Sequence, residues 1–303
     1  MVAKETYDVI IIGGSFAGLQ AGMTLGRSLR KTLIIDSALP CNRQTPHSHN
    51  FLTHDGAVPA KLAALAREQT LQYPTVQLLQ GKAITGGAIE NGFSVTTEAG
   101  ETFHSRKLLF ASGIKDNLPA IPGIAESWGI SVIHCPYCHG YEVRQQPTGI
   151  IANGELAFHF AQLINNLTNQ LTLFTNGQPE LTAEQLQQLQ QKNITIETRN
   201  IKGVLHQQGY LHTIVLEDET QVAVKALYLK PNFEQHCSIP AQLGCEISTN
   251  NLLVVDGFYK TTIPGVYAAG DCTSMMRSVS VAVASGMSAG AFINKELVSE
   301  AFQ

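Results

Sequence analysis

The chain has 303 residues, of which 44% are hydrophobic and 15% charged, and its formal net charge is −4. That balance describes a globular chain long enough for two compact domains, and it excludes nucleic acid or an anionic membrane surface as the main partner. No apolar run reaches the roughly 18 residues of a membrane span, and six cysteines with no leader ahead of the first strand predict a cytoplasmic protein whose thiols are mostly free.

In chain order, Asp8-Val9-Ile10-Ile11-Ile12 is a β-branched run bounded by glycine and predicts a buried parallel strand. Gly13-Gly14-Ser15-Phe16-Ala17-Gly18 follows, then a helical segment to about Leu29 and a strand from Thr32 to Asp36, which together make a βαβ unit. The dinucleotide pattern Gly-x-Gly-x-x-Gly is kept except that Ser15 takes the middle position; Asp36 stands 18 residues beyond Gly18. Serine is small enough to let backbone amides reach a pyrophosphate, and its hydroxyl adds a hydrogen bond. Asp36 is then an acceptor for a ribose hydroxyl, the alternative being a solvated carboxylate at a strand end.

Leu108-Leu109-Phe110-Ala111-Ser112-Gly113 reads as another strand ending in small residues. A second strand-turn-helix begins at Thr148-Gly149-Ile150-Ile151-Ala152-Asn153-Gly154-Glu155, a strand follows at Gln170 to Thr175, and the Gln-rich piece from Thr182 to Lys192 reads as a solvated surface helix. Polar turns at Lys115-Asp116-Asn117 and Lys230-Pro231-Asn232 are where the chain is expected to cross between domains. The expected fold is therefore α/β, with one Rossmann-like unit inserted into another. Near the end, Thr262 to Asp271 reads as a strand closing on Gly270-Asp271, where glycine lets backbone approach a ligand. A small-residue helix from about Val279 to Glu296 follows.

The most specific motif lies at His134-Cys135-Pro136-Tyr137-Cys138-His139. Two cysteines three positions apart sit within one turn and can close a small disulfide ring. The adjacent imidazole, with an ordinary pKa of about 6.5, can donate or accept a proton near neutrality. Haem attachment and half of a zinc site share this pattern. The first belongs to exported proteins; the second needs four ligands, whereas Cys41, Cys237, Cys245 and Cys272 are scattered singly. A redox pair is the expectation, with His139 as its acid-base group and His134 as the alternative. His47 and His49, two positions apart with no third ligand nearby, predict a polar loop and no metal site.

With the glycine fingerprint, the Ala111-Ser112-Gly113 crossover, the central Cys-x-x-Cys and the late Ala269-Gly270-Asp271 all in order, the sequence resembles low-molecular-weight thioredoxin reductases over nearly its whole length. The resemblance implies two Rossmann-like nucleotide-binding domains: an FAD-binding domain at 1–117 and 237–303, and an inserted pyridine-nucleotide-like domain at 118–236 carrying the cysteines. It implies a homodimer. It implies flavin contacts from Gly13, Ser15, Phe16, Ala17 and Gly18 at the pyrophosphate, Asp36 at the adenosine ribose, Ala83 at the adenine, and Gly270 and Asp271 at the ribityl chain and phosphate. Ala111, Ser112 and Gly113 join the same site. Arg277-Ser278-Val279 matches the Arg-Gln-Ala of the family near the isoalloxazine, and Arg43, Asn50, His54 and Asp55 fall in the loop region that faces the flavin. Cys138 is implied to be the sulfur nearer the flavin and Cys135 the interchange thiol, so that electrons pass between flavin, this pair and a thioredoxin-like protein or a small-molecule disulfide or dithiol.

Two departures set this chain apart. The family's Asp after the second cysteine is His139, which is similar to gliotoxin-type dithiol oxidases. Its NADPH fingerprint appears as Ala152-Asn153-Gly154-Glu155-Leu156-Ala157, and the arginines that grip the 2′-phosphate are replaced in Thr175-Asn176-Gly177-Gln178. Three donors stay open: NADPH through other contacts, ferredoxin or a second flavin, and a dithiol with oxygen as final acceptor. A flavin-binding redox sensor is the non-enzymatic alternative.

Overall fold

A computed structural model describes residues 6–303. By packing, the chain divides into two units: residues up to Arg43 with Val58–Lys115 and Phe233–Gln303, and Gln44–Ala57 with Asp116–Asn232.

The first unit opens with β1 (Thr6–Ile12), α1 (Phe16–Arg27) and β2 (Thr32–Asp36), continues through α2 (Pro59–Leu71) and β3 (Val76–Gln80), and adds the meander β4 (Ala83–Ile89), β5 (Gly92–Thr97) and β6 (Thr102–Phe110). Its sheet runs β3-β2-β1-β6-β5-β4. Successive residues of β1 feed opposite faces. Ile10 and Ile12 join Leu33, Ile35, Leu108 and Phe110 in one core, while Val9 and Ile11 join Ile34, Leu19 and Leu25 in the other. Burying each such side chain is worth roughly 1.5–3 kcal/mol. The parallel registers Ile10↔Leu33 and Ile10↔Leu108 are therefore fixed, because a one-residue slip would exchange the two faces.

The chain leaves along β7 (Ile114–Asn117). The second unit holds α3 (Ile124–Ser127), β8 (Val132–Ile133), α4 (Pro136–His139), β9 (Thr148–Ile151), α5 (Gly154–Asn165), β10 (Leu171–Phe174), α6 (Ala183–Gln191), β11 (Thr195–Glu197), β12 (Ile201–Gln207), β13 (Tyr210–Leu216), β14 (Gln221–Ala223) and β15 (Ala226–Leu229). A parallel sheet runs β11-β10-β9-β15-β8. One face packs Ile150, Leu173 and Tyr228 on Ala157, Phe160 and Ile164 of α5; the other packs Phe174 and Leu227 with Val204 and Ile214 of the antiparallel β12-β13-β14 sheet. Only Leu189 of α6 is buried, as expected of a solvated helix, and Thr182 and Gln185 close a capping box at its start.

β16 (Asn232–Gln235) pairs with β7 as a two-stranded ribbon, and α7 (Ile239–Gln242), β17 (Val266–Ala268) and α8 (Val279–Ala301) complete the first unit, β17 pairing parallel with β6. Both units are thus Rossmann-like α/β layers. Helix α8 runs past the expected end near Glu296 because Leu297 is buried in the core and because buried Lys107 pairs with both Glu296 and Glu300.

Candidate active site

In the first unit, β1 ends at Gly13, whose φ of +106° and closeness to the next strand both require glycine: a Cβ there would lie 2.2 Å from the Ala111 carbonyl oxygen. At Gly18 a Cβ would lie 1.8 Å from the Gly13 oxygen. Ser15 is the N-cap of α1 in extended conformation, yet its hydroxyl makes no capping bond, and the first turn of α1 carries no acid. Helix amides, a spare hydroxyl and a positive dipole end are what a phosphate requires. Asp36 Oδ1 accepts from the Gly14 amide at 3.0 Å, and Oδ2 lies 3.7 Å from Arg67. The Ser112 hydroxyl is buried without a hydrogen-bond partner among the described residues. An orphaned buried hydroxyl beside a cradle that any Cβ would fill fits the flavin dinucleotide that the resemblance implies.

Two residues outside the motifs shape the same unit. Gly270, at φ +82°, has its amide held by the Ser285 hydroxyl at 3.0 Å, and Ser285 in turn donates to the Ala282 carbonyl. Gly286 follows, where a Cβ would sit 2.1 Å from the Ala17 oxygen, so α8 packs directly on the start of α1. Sequence inspection reads this stretch as a small-residue helix starting against the flavin and does not single out Ser285 or Gly286; a serine beside a glycine in an apolar helix was the available signal. Ser278 caps α8 by accepting from the Val281 amide at 3.2 Å, Arg277 Nε stands 3.8 Å from Asp271 Oδ2, and Ala83 opens β4 opposite Thr97. Cys272 is fully buried, with Sγ 3.2 Å from the Ala269 oxygen; burial and the neighbouring Asp271 push its thiol up to about 12, which makes it inert.

Of the loop residues, Arg43 lies in the first unit and donates to the Pro40 carbonyl. Asn50, His54 and Asp55 lie in the second. The Asn50 amide donates to Asp55 Oδ1 at 2.7 Å, and Thr53 Oγ1 pairs with His54 Nδ1 at 2.9 Å.

The second unit carries a formed Cys135–Cys138 disulfide, Cα atoms 5.3 Å apart. Cys135 is the N-cap of the one-turn α4, Pro136 is at its first position, and the Cys138 amide donates to Cys135 Sγ at 3.2 Å. Gly140 follows because a Cβ there would lie 2.4 Å from the Pro136 oxygen and 2.5 Å from Leu167. Tyr137, between the two cysteines, and Tyr141, beyond them, are exposed. His139 is half-buried, and among the described residues neither ring nitrogen is hydrogen-bonded. Burial lowers its pKa, a charge on His49 lowers it further, and Glu142 opposes both. Burial thus favours its neutral, proton-accepting form. His134 stacks on Trp128, with ring centroids 5.7 Å apart, which gives it a packing role. Sequence reading missed that His47, His49 and Glu142 share a cavity of about 720 Å³ with His139; the spacing of two histidines around one residue was the only hint. Among the described residues no cluster could hold a metal ion.

The β9–α5 turn does not fit a pyridine dinucleotide. Asn153 Oδ1 accepts from the Gly154 and Glu180 amides at 2.9 and 2.8 Å, and its Nδ2 donates to the Gln178 carbonyl at 3.0 Å. The phosphate position is thereby tied off by a side chain, with Glu155 in the first turn and Glu180 Oε2 within 3.8 Å of where a Cβ on Gly154 would be.

The model of the family described as pyridine nucleotide-disulphide oxidoreductase matches residues 7–286. A thioredoxin reductase of Claviceps purpurea, tcpT, is 32% identical over 99% of this chain and 97% of its own. Another, aclD of Aspergillus oryzae, is 30% identical over 98% of each. The crystal structure of a putative thioredoxin reductase from Bacillus anthracis superposes with a TM-score of 0.93 at 30% identity, covering 97% of this chain and 99% of the other. A fingerprint strand-turn-helix, an inserted Rossmann-like unit and a one-turn disulfide thus meet in a chain that belongs to the pyridine nucleotide-disulphide oxidoreductase family, among its thioredoxin reductase-like enzymes.

Proposed function

We propose that the protein is an FAD-dependent thiol–disulfide oxidoreductase that exchanges electrons between flavin and the Cys135–Cys138 disulfide, and between that pair and a thioredoxin-like protein or small-molecule disulfide or dithiol. The observation that carries this is the one-turn disulfide followed directly by a half-buried imidazole whose pKa burial lowers. Gly13, Ser15, Phe16, Ala17, Gly18 and Asp36 would hold the dinucleotide, with Ala111, Ser112, Gly113, Gly270, Asp271 and Arg277 along its length and Ser278 and Val279 setting the start of α8. When bound, FAD supplies a two-electron couple to match the disulfide. In the reducing direction for the enzyme, a ring nitrogen of His139 takes the proton of the attacking thiol. The thiolate opens the disulfide at Cys135 Sγ, and the imidazolium returns its proton to the departing Cys138 Sγ.

A homodimer in the cytoplasm is the assembly and compartment this reading expects. The tied-off β9–α5 turn favours a second reading of the donor, in which ferredoxin, another flavin or the substrate dithiol replaces NADPH. In the test, purified yellow holoprotein and Cys138→Ser are compared for flavin bleaching by dithiothreitol under anaerobic conditions. Loss of bleaching in the variant, with flavin retained, supports the reading; turnover that ignores the substitution overturns it.

A further inference from the structure

Each cycle of the proposed exchange moves protons as well as electrons. A substrate dithiol loses two S–H bonds and gains one S–S bond, while the Cys135–Cys138 bond breaks and two cysteine thiols form. When the pair gives its electrons to the flavin and the disulfide closes again, two protons leave the sulfurs; the reduced flavin would take up at least one of them, and a proton it does not take must reach solvent. His139 adjoins the sulfurs, yet it is half-buried and no hydrogen bond from its ring leads outward.

The cavity of about 720 Å³ supplies a route. His139 and Glu142 line it from α4 and the turn beyond, His47 and His49 from the 44–57 segment, and Tyr210, His212 and Lys225 line it as well. Neither cysteine lines it, so it meets the redox motif at His139 alone, which suits water and protons better than a substrate sulfur. His49 Nδ1 lies 3.5 Å from Glu142 Oε1 and 3.6 Å from Asp55 Oδ1. The His49 side chain is 19% exposed, whereas the two carboxylates are 38% and 70% exposed. Asp55 is fixed by the Asn50 amide at 2.7 Å, and His47 is fixed by its Nδ1 contact with the Gly56 oxygen at 2.9 Å. A proton reaching His49 meets two carboxylates that open to water, and its charge lowers the pKa of His139.

We propose that His49, braced by Glu142 and Asp55, is a positioning residue that passes protons between His139 and the water of this cavity during Cys135–Cys138 exchange. The inference rests on the function proposed above. The test uses holoprotein carrying His49→Ala, with flavin bleaching by dithiothreitol followed across pH, with and without added imidazole. The expected result is a rate about 10-fold lower near neutrality, below the 10²–10⁴ of a direct general base, with flavin content unchanged and most of the rate restored by imidazole. In His49→Gln, the His139 ring resonances, assigned with His139→Gln, titrate at higher pH than in the wild type because the repelling charge is gone. Wild-type rates together with an unmoved His139 titration overturn the relay. So does a lost rate that imidazole does not restore when the titration is also unmoved, since that describes a structural role. His49→Gln carries both measurements if His49→Ala does not fold. If Cys138→Ser keeps its turnover the function itself fails; if that variant is dead while both His49 variants behave as wild type, only the relay falls.

Discussion

The molecule contains two strand-turn-helix junctions of the same kind, β1–α1 and β9–α5, and they have opposite contents. At the first, Ser15 leaves its hydroxyl out of the cap, no acid stands in the first turn, and glycines bring backbone against backbone. At the second, Asn153 spends its carbonyl on the Gly154 and Glu180 amides and its amide on Gln178, with Glu155 and Glu180 alongside. At the first turn the Asp36 carboxylate takes the Gly14 amide and glycine packing holds the fold; at the second the Asn153 side chain takes the Gly154 and Glu180 amides. The same topology thus supports a binding turn or a structural one, and two or three side chains decide which.

The largest expected effect tests the open turn. Gly18→Ala places a methyl 1.8 Å from the Gly13 oxygen, so the variant is expected to lose about 3 kcal/mol or more and to purify with little flavin, read from the ratio of flavin to protein absorbance and from thermal unfolding. Normal flavin content would mean that the turn has slack the packing denies. Next comes Ser285→Ala, which strips the buried Gly270 amide of its acceptor and is expected to cost about 1–3 kcal/mol, with weaker flavin retention on dialysis. The closed turn is tested by Asn153→Ala, which removes a cap and two crosslinks. The expectation is about 1 kcal/mol of stability lost, unchanged flavin content, and NADPH bleaching that is faster than in the wild type under anaerobic titration.

The strands and the first turn were readable in the sequence because they depend on local pattern. The β-branched run into Gly13 and the small residues at Ala111 to Gly113 state their own environment. The disulfide was readable because spacing alone nearly sets its geometry. What stayed hidden depends on distant pairs. Nothing near His49 announces that Glu142, 93 positions away, faces it, and the packing of Gly286 on Ala17 joins the two ends of the chain. Asn153 could be seen as a departure from a fingerprint, but its bonds to 178 and 180 exist only once β9 and β10 lie side by side.

The smallest expected effect separates shape from charge at the closed turn. Glu155 sits in the first turn of α5, where a carboxylate favours the helix by roughly 0.3–1 kcal/mol through the backbone dipole. The same charge, with that of Glu180, repels an incoming pyrophosphate. The double variant Glu155→Gln, Glu180→Gln is therefore expected to move two quantities in opposite directions, losing about 0.5 kcal/mol of stability while binding NADPH more tightly in a calorimetric titration. Asn153 still fills the turn in that variant, so the gain must stay below that of Asn153→Ala. If the order is reversed, charge rather than the side-chain plug keeps the nucleotide out, and the contrast between the two junctions becomes electrostatic rather than steric.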